Sequence, residues 1–209
     1  MEGLKKKLLE TKLVPVIKIN QIKNAIPLAK SLKNAGIDVI EITFRTDVAA
    51  EAIKLITEEL PDMIVLAGTV LDVETAKKAK DSGAHAIVSP GINLETINWS
   101  KNNKIDIIPG IATPTELEIV RRESISIVKV FPVESLGGVR YIKSLSQVYD
   151  GVEFMPTGGI NSENINQYLD LDKVICCGGS WVIDMNCLEK ENYLEVEKYA
   201  KQEYEKILY

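Results

Sequence analysis

The chain is poor in residues that staple a fold or hold a metal. Of its 209 residues, three are cysteine and one is histidine. Cys176, Cys177 and Cys187 are odd in number, two of them are adjacent, and His85 is far from all three in sequence. That pattern indicates neither a disulfide framework nor a metal site. No apolar run approaches the length of a membrane span. The amino-terminal MEGLKKKLLE lacks the apolar stretch and small-residue cleavage site of a signal peptide, so a cytoplasmic protein is expected. No proline-rich or glycine/serine-rich linker divides residues 1–209, and 45% hydrophobic content suffices for one substantial core, so one domain is expected. Positive charge is not in excess: 25 basic against 30 acidic residues leave a net charge of -5. Nucleic acid is therefore an unsuited partner. A single small phosphate remains compatible with the chain, because a few local donors can hold one.

What the chain does have is a regular alternation of two hydrophobic periods. Strand-like runs are read at 13–19, 37–44, 63–67, 84–88, 105–108, around Lys129, at 152–155 and at 174–177. Between them lie segments of helical spacing, such as Ile22, Ala25, Ile26, Ala29 and Leu32, which Gly36 closes. Asp47 and Asp72 are placed to cap helices, and Thr113 or Thr115 can open another whose first turn suits Pro114 and Glu116. Helices are also expected at 161–169 and 189–208. Eight strand-helix units predict a parallel α/β fold, a (β/α)8 TIM barrel, with an extra amino-terminal helix at 2–10. An open doubly wound sheet is the alternative.

Lys129 is the anomaly in this pattern, because it interrupts the apolar, β-branched run SIVKVFP. Its stem can carry the amine past a strand end into water. Alternatively, a lysine that loses hydration inside a protein is more readily neutral, and a neutral amine attacks carbonyls. Strand order bears on the choice. In a barrel, the carboxyl ends of the strands share one mouth, which would gather Lys18, Glu41, Arg45, Thr69, Pro90, Pro109, Lys129, Thr157 and Ser180. Thr157-Gly158-Gly159 and Gly178-Gly179-Ser180 follow the last two strands, where barrels commonly bind phosphate on loop amides. Glu41 is then a candidate general acid/base, and Arg45 can grip a carboxylate with two parallel hydrogen bonds. A plain ion pair that holds the loop is the simpler reading of Glu41 and Arg45. Residue parity along the strands does not say which face is the interior.

EITFRT at 41–46, AGTVL at 67–71, SPG at 89–91, PGIATPTE at 109–116, KVFPVE at 129–134, PTGGI at 156–160 and GGSW at 178–181 occur in this order over nearly the whole chain. Together they closely resemble the bacterial 2-keto-3-deoxy-6-phosphogluconate (KDPG) aldolases, whose members often also cleave 4-hydroxy-2-oxoglutarate (KHG). The resemblance implies a class I aldolase, homotrimeric, that needs no metal or cofactor. It implies that Lys129 forms the Schiff base, and that Glu41 relays protons, including through a bound water. Arg45, Thr69 and Pro90 would hold the pyruvate carboxylate, Phe131 would pack beside the imine, and Thr157 would contact the sugar-acid portion. Gly158, Gly159, Gly179 and Ser180 would form the phosphate cup, with Lys18 as a candidate addition. Val130 departs from the family's usual aromatic at that position and is expected to alter packing more than chemistry. A sugar-phosphate isomerase and a phosphometabolite-binding regulatory barrel are the competing readings, both compatible with the same cup.

Overall fold

The computed structural model describes residues 1–208. Helix α1 (Glu2–Thr11) precedes β1 (Leu13–Ile17), and a 3-10 turn at Ile22–Asn24 leads to α2 (Ala25–Asn34) and β2 (Val39–Thr43). Then come α3 (Ala49–Glu59), β3 (Ile64–Gly68), α4 (Val73–Asp81), β4 (Ala86–Val88), α5 (Leu94–Asn102) and β5 (Asp106–Ile108). The chain continues through β6 (Gly110–Ile111), α6 (Pro114–Arg122), β7 (Ile127–Val130), a 3-10 turn at Glu134–Leu136, α7 (Gly138–Val148) and β8 (Glu153–Pro156). It ends with α8 (Ile165–Leu169), β9 (Cys177–Gly179), α9 (Met185–Glu189) and α10 (Tyr193–Leu208).

The strands pair in parallel as two curved sheets, in the orders β5-β4-β3-β2-β1-β9 and β6-β7-β8. One expected strand is thus split. Pro109 has no N–H to give to a ladder, so β5 pairs with β4 while β6, one residue later, pairs with β7. The Pro109 carbonyl still accepts from the Lys129 N–H at 2.9 Å. Between β8 and β9 run isolated parallel bridges, Phe154 to Val174 and Thr157 to Gly178.

The expected strand at 174–177 is observed three residues later, because Leu13, Val14 and Pro15 of β1 pair with Cys177, Gly178 and Gly179. The helix expected at 161–169 is shortened to α8. The Asn161 and Asn164 side chains accept from the Glu163 and Asn161 N–H groups, and these local bonds hold a turn in place of a first helical turn. The helix expected from 189 is interrupted by Glu191 at φ 57° and resumes as α10. Asp72 and Thr113 cap their helices as expected, accepting from Thr75 N–H at 2.7 Å and Glu116 N–H at 3.3 Å. The Glu116 carboxylate in turn accepts from the Ala112 N–H, one residue before the cap. Asp47 does not cap α3: the Thr46 hydroxyl is tied to the Ile19 carbonyl, the turn forms one residue later, and Val48 takes the N-cap position.

Two apolar clusters result. The larger lies between strands and helices, where α2 buries Ala25, Leu28, Ala29 and Leu32 and α3 buries Ala49, Ala52, Ile53 and Ile56, each at helical spacing. The second gathers one face of the strands, including Val14, Val39, Leu66, Ile108, Ile127 and Met155, together with Leu4 and Leu8 of α1. The faces that carry Val39 and Ile127 also carry Glu41 and Lys129, two residues on. Parity left that question open, and the packing settles it. Among the described residues, no helix is long and apolar enough to cross a membrane.

Candidate active site

Glu41 is the third residue of β2, paired with Val16 on one side and Leu66 on the other. Lys129 is the third residue of β7, paired with Gly110 and Met155. Both side chains are buried, at 0% and 6% exposure, and the Lys129 Nζ lies 3.4 Å from Glu41 Oε1. Lys129 therefore does not reach past the strand end into water. A buried cation and a buried carboxylate tolerate each other only as a pair, since either one alone would be left without compensation. Glu41 Oε2 is buried with no hydrogen-bond partner among the described residues, which leaves one carboxyl oxygen uncommitted. The Nζ also sits 5.5 Å from the centre of the Phe131 ring. Phe131 is 37% exposed and thus walls the amine on the solvent side.

Two glycines make room around the site, one for the Glu41 side chain and one for the loop of Pro90. A Cβ on Gly68, at the end of β3, would overlap the Glu41 side chain, coming 2.6 Å from its Cγ. A Cβ on Gly110 would overlap the Pro90 carbonyl. Thr69, next to Gly68, has φ 58°, a region in which residues other than glycine are uncommon and in which backbone strain is stored. The expected carboxylate loops at Thr69 and Pro90 thus flank the strands of Glu41 and Lys129.

A cleft of about 190 Å³ is lined by Arg45, Phe131, Thr157, the two glycine loops and Ser180. Seven of the expected residues, Arg45, Phe131, Thr157, Gly158, Gly159, Gly179 and Ser180, thereby share one cavity next to the lysine. Arg45 is exposed, and its Nε donates to Thr43 Oγ1 at 3.2 Å. Thr43 in turn donates to the Ile17 carbonyl at 3.0 Å, which anchors the arginine Nε at the cleft. The positive φ of Gly158 and Gly159, 99° and 85°, turns the backbone into the cleft. Gly178 closes against the Thr157 hydroxyl and Gly179 against the Trp181 ring.

Lys18 is not part of this cavity. β1 ends at Ile17, and Lys18 lines a separate cleft of about 320 Å³ with Asn20, Gln21 and Glu189. A still larger cleft, about 460 Å³, opens near the amino ends of β5 and β7 beside Lys101, Lys104 and Ser126, and it brings none of the expected groups together. Burial and the Glu41 carboxyl push the Cys176 thiol well up, and burial does the same to Cys177, so both are inert core groups. Thr43 and Gly110 also border the site, although their residue types alone do not single them out. Thr43 lies two residues from Glu41 on the same strand face, and Gly110 follows Pro109 at a strand end, so strand parity and strand-end position are the signals that mark them.

The family model for KDPG and KHG aldolase matches residues 4–199. The chain belongs to this aldolase family. Among its relatives, the 2-dehydro-3-deoxy-phosphogluconate aldolase of Haemophilus influenzae is 40% identical over 196 residues, covering 94% of this chain and 92% of the relative. The KHG/KDPG aldolase of Escherichia coli K12 is 37% identical over 189 residues, 90% of this chain and 89% of the relative. The crystal structure of KDPG aldolase from Legionella pneumophila, with pyruvate captured as a covalent carbinolamine intermediate, superimposes with a TM-score of 0.91 at 34% identity. That superposition covers 95% of this chain and 97% of the other. The family likeness thus spans the strands of Glu41 and Lys129 and both glycine loops.

Proposed function

We propose that the protein is a class I aldolase, a carbon-carbon lyase that cleaves 2-keto-3-deoxy-6-phosphogluconate to pyruvate and D-glyceraldehyde 3-phosphate, and 4-hydroxy-2-oxoglutarate to pyruvate and glyoxylate. The observation that carries this reading is the buried Lys129 Nζ, 3.4 Å from Glu41 Oε1, beside a cleft floored by two glycine loops. The Lys129 amine, having passed a proton to Glu41, adds to the C2 ketone. The carbinolamine loses water as Glu41 returns a proton to the departing hydroxyl, leaving a protonated imine. The C4 hydroxyl then gives its proton to the Glu41 carboxylate, which later delivers it to C3 of the enamine, as the C3–C4 bond breaks and its electron pair enters the iminium. The aldehyde leaves, the enamine is protonated at C3, and hydrolysis of the imine frees pyruvate and the lysine. Arg45, Thr69 and Pro90 hold the carboxylate, Phe131 flanks the imine, and Thr157 meets the C4 end. Amides at Gly158, Gly159, Gly179 and Ser180 receive the phosphate.

In this reading residues 1–209 are one domain and the two sheets close as a (β/α)8 barrel. The Pro109 break and the β8–β9 bridges are its joins, and α1 fills its amino end. A cytoplasmic homotrimer completes the proposal, the assembly being open to sedimentation at several concentrations. Reaction with pyruvate and borohydride tests the chemistry. Wild-type protein is expected to gain a stable adduct mapping to Lys129, and Lys129→Ala and Lys129→Arg to gain none, the second variant keeping a cation beside Glu41. Undiminished labelling of either variant, or an adduct at Lys18, overturns the assignment.

A further inference from the structure

Behind the loop of Gly158 and Gly159 stands a polar clamp that the aldol chemistry does not use. The segment after Lys129 folds under this loop. Val133 N–H donates to the Thr157 carbonyl at 2.9 Å, and Glu134 N–H donates to the Gly158 carbonyl at 3.2 Å. The Glu134 side chain then rises behind Gly159, where a Cβ would come within 2.6 Å of its Cγ. Its Oε1 accepts from the Tyr168 hydroxyl and, at 3.4 Å, from Asn164 Nδ2. The same Asn164 amide donates to the Gly159 carbonyl at 3.1 Å. Among the described residues Glu134 has no cationic partner, so two neutral donors are what hold the carboxylate.

We propose that Glu134 is a positioning residue for the phosphate cup: clamped by Tyr168 and Asn164, it fixes the Gly158–Gly159 turn and so sets the preference for a phosphorylated over a carboxylate-ended substrate. This rests on the aldolase reading and deepens it. A phosphate presents three oxygens to convergent amides and needs their directions fixed, whereas a distal carboxylate presents two in one plane and tolerates a looser loop. Glycine supplies no side chain of its own to hold such a turn. The packing of Glu134 against the Gly159 Cα replaces that missing restraint. The clamp is also constant with pH on its donor side: Tyr168 is fully buried, and burial, then the hydrogen bond to Glu134, push its phenol far above its ordinary value, so it stays a donor.

The test compares wild type with Glu134→Ala, Glu134→Gln and Tyr168→Phe on the six-carbon phosphorylated acid and on 4-hydroxy-2-oxoglutarate. In Glu134→Ala, KM for the phosphorylated acid is expected to rise about tenfold, with kcat nearly kept, as when binding shared by ground and transition states is lost. The ratio of kcat/KM between the two substrates should fall by about the same factor. Glu134→Gln, whose carbonyl can still accept from Tyr168, should restore the wild-type KM. Tyr168→Phe should shift the ratio in the same direction as Glu134→Ala. An unchanged KM in both Glu134→Ala and Tyr168→Phe, or an equal loss on both substrates, overturns the proposal. So does a lower KM in Glu134→Ala, which would mean that Glu134 acts only by repelling the phosphate. If wild type turns over neither substrate, the aldolase reading fails. Binding of inorganic phosphate by phosphorus NMR then decides the clamp on its own, weaker binding in Glu134→Ala supporting it and equal binding, or none to wild type, refuting it.

Discussion

Gly68 owes its identity to space, since its backbone does not take a positive φ while its Cα faces the Glu41 carboxyl. Glu41 is fully buried on a central strand and has nowhere to retreat. Gly68→Ala should therefore push the carboxyl away from Lys129. A fall in kcat on the order of 100-fold is expected in a pyruvate-release assay, the scale that a displacement of about 1 Å produces. Overpacking should also cost about 1–3 kcal/mol in urea denaturation. Wild-type kcat in this variant would mean that Glu41 does not relay protons from its observed position.

Helix starts carry the stabilisation that is easiest to measure at the scale of elements. Asp72 opens α4 by accepting from the Thr75 N–H, and that bond holds its carboxyl below the ordinary carboxylate value. The sign follows from linkage. A folded-state pKa below the unfolded one gives stability that is present above the unfolded value, about 3.9, and that is lost as pH falls through the folded value. Asp72→Ala should destabilise the protein by about 0.5–1 kcal/mol at pH 7, the low end for a cap because the site is solvated. The gap in urea midpoints should narrow once the pH drops below the carboxylate range. A gap of equal size at both pH values would remove the charge from the explanation. Asp47 shows why residue type alone does not make a cap, because the bond from Thr46 to Ile19 takes the turn away from it.

At the scale of the whole molecule, the apolar interior on one face of the curved sheets is built from more than strands. Leu8 of α1 is fully buried in the cluster that holds Val14, Val39, Leu66 and Ile127, so the amino-terminal helix is part of that interior. Leu8→Ala should cost about 2–5 kcal/mol of unfolding free energy, the range for emptying a packed leucine site. A loss well under 1 kcal/mol, the cost of an exposed leucine, would show that α1 does not brace the strands.

The alternation of strand and helix was legible because periods of 2 and 3.6 are local properties of the chain, and so was the oddity of Lys129 in an apolar run. The glycine pairs were legible as loops for the same reason. Strand ends were less so: residues 174–177 have the composition of a strand, yet apart from the bridge at Val174 the ladder falls on Cys177–Gly179, because β1 lies opposite them. Chain order alone groups Lys18 with the mouth, and the end of β1 at Ile17 sends it to another cleft. What the sequence by itself determined is which residues can do chemistry and the period on which each is carried. Only the tertiary structure decided which strand face turns inward, and so placed Lys129 beside Glu41, 88 residues away. The physical reason is that a period of 2 offers two equivalent faces, and only the register between strands and the packing of side chains across the interior make them different.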